Sequence, residues 1–229
     1  MKQYETSKAR RGNGVARRAA TVSASWRRRA GATCLALVCG AAQAAGGPLG
    51  IDHELAFDQS GIWARRNQLA LEYGVVVFEL AGAVWLGNGD EFGHTLWQSV
   101  DSTAVSAVGA TGLKFVFGRS RPSAGQGPDR WFHPNGHRSF PSGEVTLQAS
   151  FVTPIIIHYA QRNPWVWALE ALPLYDGIAR MKSRSHWQTD VLAGWAIGTA
   201  AGYWATRRDL PFSVQVLPRG FSIGYSKAF

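Results

Sequence analysis

Arg180-Met181-Lys182-Ser183-Arg184-Ser185-His186-Trp187-Gln188-Thr189-Asp190 is the stretch that decides the fold. The apolar run Val191-Leu192-Ala193-Gly194-Trp195-Ala196 follows at once, so the pattern predicts a helix opening at His186 to Asp190. On a helix, positions four apart share a face. The Asp190 carboxylate would then hold the His186 imidazole in one tautomer and stabilise its cation, as the third member of a nucleophile, base and orienter set does. A helix start also offers free N–H groups and the positive end of a dipole, which suit a bound anion. A His-x3-Asp pair at a plain capped helix is common, so the reading needs support from elsewhere in the chain.

Two other stretches supply it. Lys114-Phe115-Val116-Phe117-Gly118-Arg119-Ser120-Arg121-Pro122 places Lys114 and Arg121 around the end of a predicted helix. Arg presents a planar fork matched to phosphate oxygens, and Lys adds a point charge. Alone, these would read as solvated cations favoured by a helix C-terminus. Phe140-Pro141-Ser142-Gly143-Glu144-Val145 reads as a Ser N-cap with a flexible Gly ahead of an apolar helix. Its Ser142 hydroxyl and the N–H groups near Gly143 would point at whatever sits before the helix.

Lys-x6-Arg-Pro, then Pro-Ser-Gly, then Arg-x5-His-x3-Asp, in that order within 77 residues, resembles the phosphatidic acid phosphatase type 2 superfamily. That group also holds the bacterial class A acid phosphatases and the vanadium haloperoxidases. The resemblance covers about residues 70–206. It implies an all-α helical bundle with phosphate held between helix ends. It further implies that Lys114, Arg121 and Arg180 clamp the phosphate and that Ser142 and Gly143 donate hydrogen bonds. His186 would attack phosphorus to form a phosphohistidine, with Asp190 orienting it and no metal or other cofactor. Vanadate would act as an inhibitor or, in a haloperoxidase, as a cofactor. Two positions depart from the pattern. Ala179 replaces a Ser before the Arg of the third motif, and Glu144 replaces the His that serves as general acid. Glu144 fills that catalytic role only if burial raises its pKa toward neutrality against the pull of nearby cations. His133 and His137, in the long loop, are the other candidate proton donors.

Composition sets the frame. The chain of 229 residues is 46% apolar and has ten Trp, enough for one domain with a real core. Of the formal charge of +9, +8 sits in the first 44 residues, which hold nine Lys/Arg and one Glu, against 15 basic and 14 acidic residues beyond. That removes the case for nucleic-acid binding. Residues 1–44 read as an export signal: a basic region to Arg29, a mild apolar stretch, and Ala42-Gln43-Ala44 as a cleavage site. Both cysteines, Cys34 and Cys39, would leave with it, which fits a periplasmic protein.

Within the domain at 45–229, helices are expected at 69–87, 95–117, 144–161 (bent or broken at Pro154), 164–182 (with Pro173 inside) and 191–206. That gives a bundle of five to six helices. Glu72 and Glu79 interrupt the first, which reads as buried or half-buried rather than spanning. Residues 120–142 form a long loop rich in Pro and Gly, of the kind that carries function. Residues 210–229 alternate around Pro218-Arg219-Gly220, the signal of a C-terminal β-hairpin.

The expected function is an exported phosphatase acting on a soluble phosphomonoester or a lipid phosphate, with peripheral membrane contact through Trp-rich segments as a further expectation. The alternatives are a phosphate- or lipid-binding protein impaired by Glu144, and a vanadate-dependent haloperoxidase.

Overall fold

The computed structural model describes residues 46–133, 138–208, 212–217 and 220–225. The expected leader at 1–44 and His137 lie outside the described residues. Among the described residues the α-helices are α1 (Arg65–Leu86), α2 (Glu91–Phe117), α3 (Gly143–Tyr159), α4 (Ala171–Lys182) and α5 (Gln188–Ala205). Short 3-10 turns lie at Gly61–Trp63, Pro122–Ala124 and Pro164–Glu170. Beyond α5, the backbone of Phe212–Leu217 pairs antiparallel with Gly220–Tyr225. Residues 218 and 219, where the hairpin turn was expected, are outside the described set.

Helix ends follow local chemistry. α2 begins ahead of the expected Thr95 because Asp90 caps it, its carboxylate accepting the N–H groups of Phe92 and Gly93 at 2.9 Å each. It stops at Gly118, whose φ of +44 is left-handed and whose missing side chain leaves room for the His133 carbonyl. The single helix expected over 164–182 is instead a 3-10 turn followed by α4. Pro173 is the third residue of α4, where a backbone N–H would have had no helical partner.

Of the bend or break expected at Pro154, the break is absent: α3 runs continuously through it. A proline there removes the N–H that the Ser150 carbonyl would have accepted. Ser102 Oγ donates to that carbonyl at 2.9 Å, and Ser99 Oγ donates to the Phe151 carbonyl at 3.0 Å. The small polar residues of α2 thus supply α3 with hydrogen bonds as well as room. Val75, Ala83, Leu96, Phe151, Val152, Ile155 and Ile156 form the apolar core between α1, α2 and α3.

α5 meets α3 through Gly194, Gly198 and Gly202, spaced four apart on one face. A Cβ at Gly198 would lie 2.4 Å from the Thr146 carbonyl oxygen and 2.8 Å from Ala149 Cβ. The same stripe holds the starts of α3 and α5 together, where the Ser142 N–H donates to the Asp190 carbonyl at 2.9 Å. Gly198→Ala is therefore expected to cost about 1–3 kcal/mol through overpacking, read as a fall of several °C in Tm. Gly109→Ala, where nothing lies within 4 Å of the added Cβ, is expected to hold or raise Tm.

α1 is less buried than expected. Its carboxylates turn inward and its apolar side chains outward: Glu79 accepts from Thr103 Oγ1 at 3.0 Å, while Tyr73, Val77, Phe78, Leu80 and Trp85 are exposed, Trp85 at 88%. Among the described residues α1 is the one helix long and apolar enough to cross a membrane by length and composition.

Candidate functional site

In an up-and-down bundle the start of α1, the end of α2, the start of α3, the end of α4 and the start of α5 share one end. This chain puts its polar residues there. Lys114 lies in the last turn of α2 and Arg180 in the last turn of α4. Ser142 caps α3 and Gly143 opens it. A Cβ on Gly143 would sit 3.6 Å from Lys114 Cε, so the glycine lies directly beside the lysine. Lys114 Nζ donates to the carbonyls of Pro141 and Arg138. Arg121 is close enough to feel the charges of Glu144 and Asp190.

His186 is not on a helix. α5 begins at Gln188 with Trp187 as its N-cap, so the shared-face argument for His186 and Asp190 fails. They meet because Asp190, third in the helix, folds its carboxylate back over the cap. Asp190 Oδ2 accepts the Trp187 N–H at 2.9 Å and lies 3.7 Å from His186 Nδ1. That separation is an electrostatic contact, longer than a hydrogen bond, and the same oxygen also accepts from Ser139 Oγ. The loop before it is set by the Arg180 carbonyl, which accepts the N–H groups of Ser185 and His186.

Burial pushes the His186 imidazole down to about 4, against the opposing pull of Asp190. The ring is therefore neutral at physiological pH, with a lone pair to give. Burial likewise lowers Lys114 to about 8, helped by Arg121 and Arg180. Asp190 stays well within the ionised range, since His186, Arg119 and Ser139 outweigh its burial. Three enclosed polar atoms at this end, Ser142 Oγ, Arg180 Nε and His186 Nδ1, have no hydrogen-bond partner. Unsatisfied buried donors cost about 1–3 kcal/mol each; His186 Nδ1 faces Asp190, which leaves the Ser142 hydroxyl and Arg180 Nε as unmatched donors at this end among the described residues.

Glu144 joins this group, but not in the form a general acid needs. Its Oε2 accepts from Arg65 Nη1 at 2.8 Å and lies 3.5 Å from Arg180 Nε. Burial favours its neutral form, yet Arg65, Arg180 and His186 outweigh it and hold the carboxyl below its usual range. Of the candidate loop donors, His133 is tied by its backbone N–H to the Gly118 carbonyl at 3.3 Å.

Sequence reasoning missed two parts. Arg65, at the start of α1, reaches Glu144 across 79 positions, and Gln68 Oε1 accepts from both Arg65 and Arg180. Arg119, inside the quoted Lys114 to Pro122 stretch, is completely buried. Its Nη1 donates to Asp190 Oδ1 at 2.6 Å and to Thr189 Oγ1 at 2.7 Å, and its Nη2 donates to Asp52 Oδ2 at 2.6 Å. The Trp131 ring lies beneath its guanidinium at 4.3 Å. Asp52, from the segment before α1, also accepts from the Thr189 N–H and hydroxyl. The only sequence signal was Arg119's place between two singled-out cations.

A helical bundle that brings Lys114, Arg121, Arg180 and Arg65 to the end where two helix starts and an uncharged imidazole lie has the charge and the donors to hold an oxyanion there. A family model for the PAP2 superfamily matches residues 95–210, half of the chain, and the chain belongs to that superfamily. It is similar to lipid A 1-phosphatase of Porphyromonas gingivalis, 28% identical over 137 residues, which are 58% of this chain and 28% of that protein. The chain thus spans less than a third of the length of that curated relative. The crystal structure of Aquifex aeolicus LpxE covers 60% of this chain and 86% of its own, at 19% identity and a TM-score of 0.44.

Proposed function

We propose that this protein is an exported, membrane-associated phosphatase that removes a phosphate from a phosphorylated lipid through a phosphohistidine at His186. The observation that carries the reading is the neutral, buried His186 ring set among Lys114, Arg121 and Arg180 with Asp190 at its Nδ1. Phosphoryl transfer asks mainly for positioning and charge neutralisation. The three cations and the N–H groups at Ser142 and Gly143 offer both. The second ring nitrogen attacks phosphorus, and Asp190 steadies the imidazole as it gains charge. The lipid part rests on the outward apolar side of α1 and on what the name of the Porphyromonas gingivalis relative says it acts on. The basic, then apolar leader sequence supports export to the periplasm.

The test is phosphate release from a phosphorylated lipid in detergent micelles, compared with His186→Asn. Equal rates overturn the reading. The pH profile adds a check on the clamp. Lys114 is charged below about 8 and loses its proton above it, while a phosphate monoester substrate is already dianionic there. We expect kcat/KM to fall as pH rises through about 8. Lys114→Arg, which keeps its charge, is expected to move that limb out of the range between pH 6 and 10.

A further inference from the structure

One helical turn below the cations lies a second polar layer that the reaction leaves unused. α1, α3 and α4 each carry two polar residues four apart, and such pairs share a face. Gln68, Glu144 and Arg180 form the upper layer at the phosphate end. Gln68 and Glu144 there both meet Arg65 and Arg180. Glu72, Gln148 and Asp176 lie one turn deeper on the same three helices. Asp176 and Gln148 are completely buried. Among the described residues, neither Asp176 carboxyl oxygen and neither polar atom of the Gln148 amide has a hydrogen-bond partner. Asp176 feels the negative charges of Glu144 and Glu72 and the positive charge of Arg180, with the Gln148 amide beside it. The adjacent Tyr175 hydroxyl is engaged elsewhere, donating to the Ile62 carbonyl.

An ionised carboxylate only accepts hydrogen bonds. It takes a Gln148 N–H and leaves Gln148 Oε1 without a donor. A protonated carboxyl is the complement of a carboxamide. Its O–H donates to the amide oxygen while the amide N–H donates to its other oxygen. Charge points the same way. The upper layer sets two arginines, Arg65 and Arg180, against the single carboxylate of Glu144, which leaves positive charge over for an oxyanion. A second enclosed carboxylate beneath Arg180 would cancel it, whereas Glu72 is half-buried and screened by water. We infer that Asp176 is a positioning residue, held as a neutral acid against Gln148, whose proton keeps the Arg180 charge free for the phosphate and whose ionisation disarms that part of the clamp. The inference rests on the oxyanion-binding reading of Arg180 above and adds a regulation of that site. Burial, helped by the charge of Glu144, pushes the Asp176 carboxyl up to about 7, so the change falls in the neutral range. The folded protein then keeps a proton that the unfolded chain loses near the ordinary value of 3.8. Stability therefore falls as pH rises from there to about 7.

The experiment uses the full chain in detergent and sulfate as the probe, because sulfate stays dianionic from pH 5.5 to 8.5 and phosphate does not. Sulfate affinity is measured across that range for the natural protein and for Asp176→Asn. Asn keeps the shape of the neutral acid and its two-way pairing with Gln148 but cannot ionise. We expect equal affinities at pH 5.5. At pH 8.5 the natural protein should bind sulfate about tenfold more weakly than the variant, the scale of one added charge a helical turn from a guanidinium. The loss of charge at Lys114 is common to both proteins and cancels. The gap should persist when Lys114→Arg is added to each. Asp176→Asn should also melt above the natural protein at pH 8.5, with the difference closing as pH falls below about 7. In the infrared at pH 5.5, subtracting the variant's spectrum from the natural protein's should leave the carbonyl stretch of a protonated carboxyl. A ratio of affinities that does not change with pH overturns the inference and leaves the phosphatase intact, as does a carboxylate band in that difference spectrum. If Asp176→Asn does not fold, the Lys114→Arg protein decides alone: sulfate affinity that holds level from pH 5.5 to 8.5 overturns the inference. Sulfate bound as tightly by Arg180→Ala as by the natural protein at pH 5.5 overturns the clamp, and with it the phosphatase reading itself.

Discussion

His186→Asn is expected to lower phosphate release by at least about 10⁴-fold, the scale on which removal of a covalent nucleophile acts. Asn keeps a polar side chain of similar reach but has no lone pair able to displace an alkoxide or phosphate. The loss should fall on kcat, because Lys114, Arg121, Arg180 and the start of α3 remain to hold the phosphate, so inorganic phosphate should still bind with an affinity within a few-fold of the natural protein. The fold should tolerate the change. Among the described residues the His186 Nδ1 makes no hydrogen bond, and the Asp190 carboxylate keeps Arg119, Ser139 and the Trp187 N–H. A Tm within a few °C of the natural protein, with turnover lost and phosphate binding kept, is the expected pattern. Retained turnover would show that another group attacks phosphorus. Loss of phosphate binding along with turnover would show that the ring holds the ligand and does not react with it.

What the sequence made legible was local. Lys114, Ser142, Gly143, Arg180 and His186 each lie within a few residues of a helix end, and helix ends are marked by turn residues and changes of period. The bundle's alternating direction then brings those ends together without further information. The errors have physical causes of one kind. Pro154 read as a bend or break because the serines that serve the Ser150 and Phe151 carbonyls lie on α2, some 50 positions earlier. Glu72 and Glu79 read as interruptions of a buried helix because composition does not say which way a side chain points, and in α1 the apolar side points out. His186 was placed inside a helix because a carboxylate four residues on suggests a shared face, whereas Asp190 reaches it by folding back over the cap. Arg65 and Asp52 were invisible for the same reason. Each acts on a partner 79 or more positions away, and no local periodicity records such a pairing.

Arg119→Met is the substitution expected to cost the fold most. The guanidinium is fully enclosed between two carboxylates that are also fully enclosed, Asp52 and Asp190. Its Nε and Nη2 also donate to the Pro128 carbonyl at 3.0 and 2.7 Å. Met fills similar space over Trp131 but leaves two buried anions facing one another without a cation. Breaking a buried pair from one side costs about 3–5 kcal/mol. For a domain of this size that lowers Tm by roughly 10 °C, at about 2–4 °C per kcal/mol. Activity should fall as well, because Asp190 loses the bond that aims one of its oxygens while the other faces His186. Pairing the change with Asp52→Asn separates the two effects. Removing one of the stranded charges should recover a large part of the stability, since contacting residues in one network do not add independently. Turnover should stay low, since Asp190 still lacks its guanidinium. An Arg119→Met protein that melts within 1 °C of the natural one would mean that this ion triad does not hold the segment before α1 and the start of α5 together, and the account of how Asp190 is positioned would have to be abandoned.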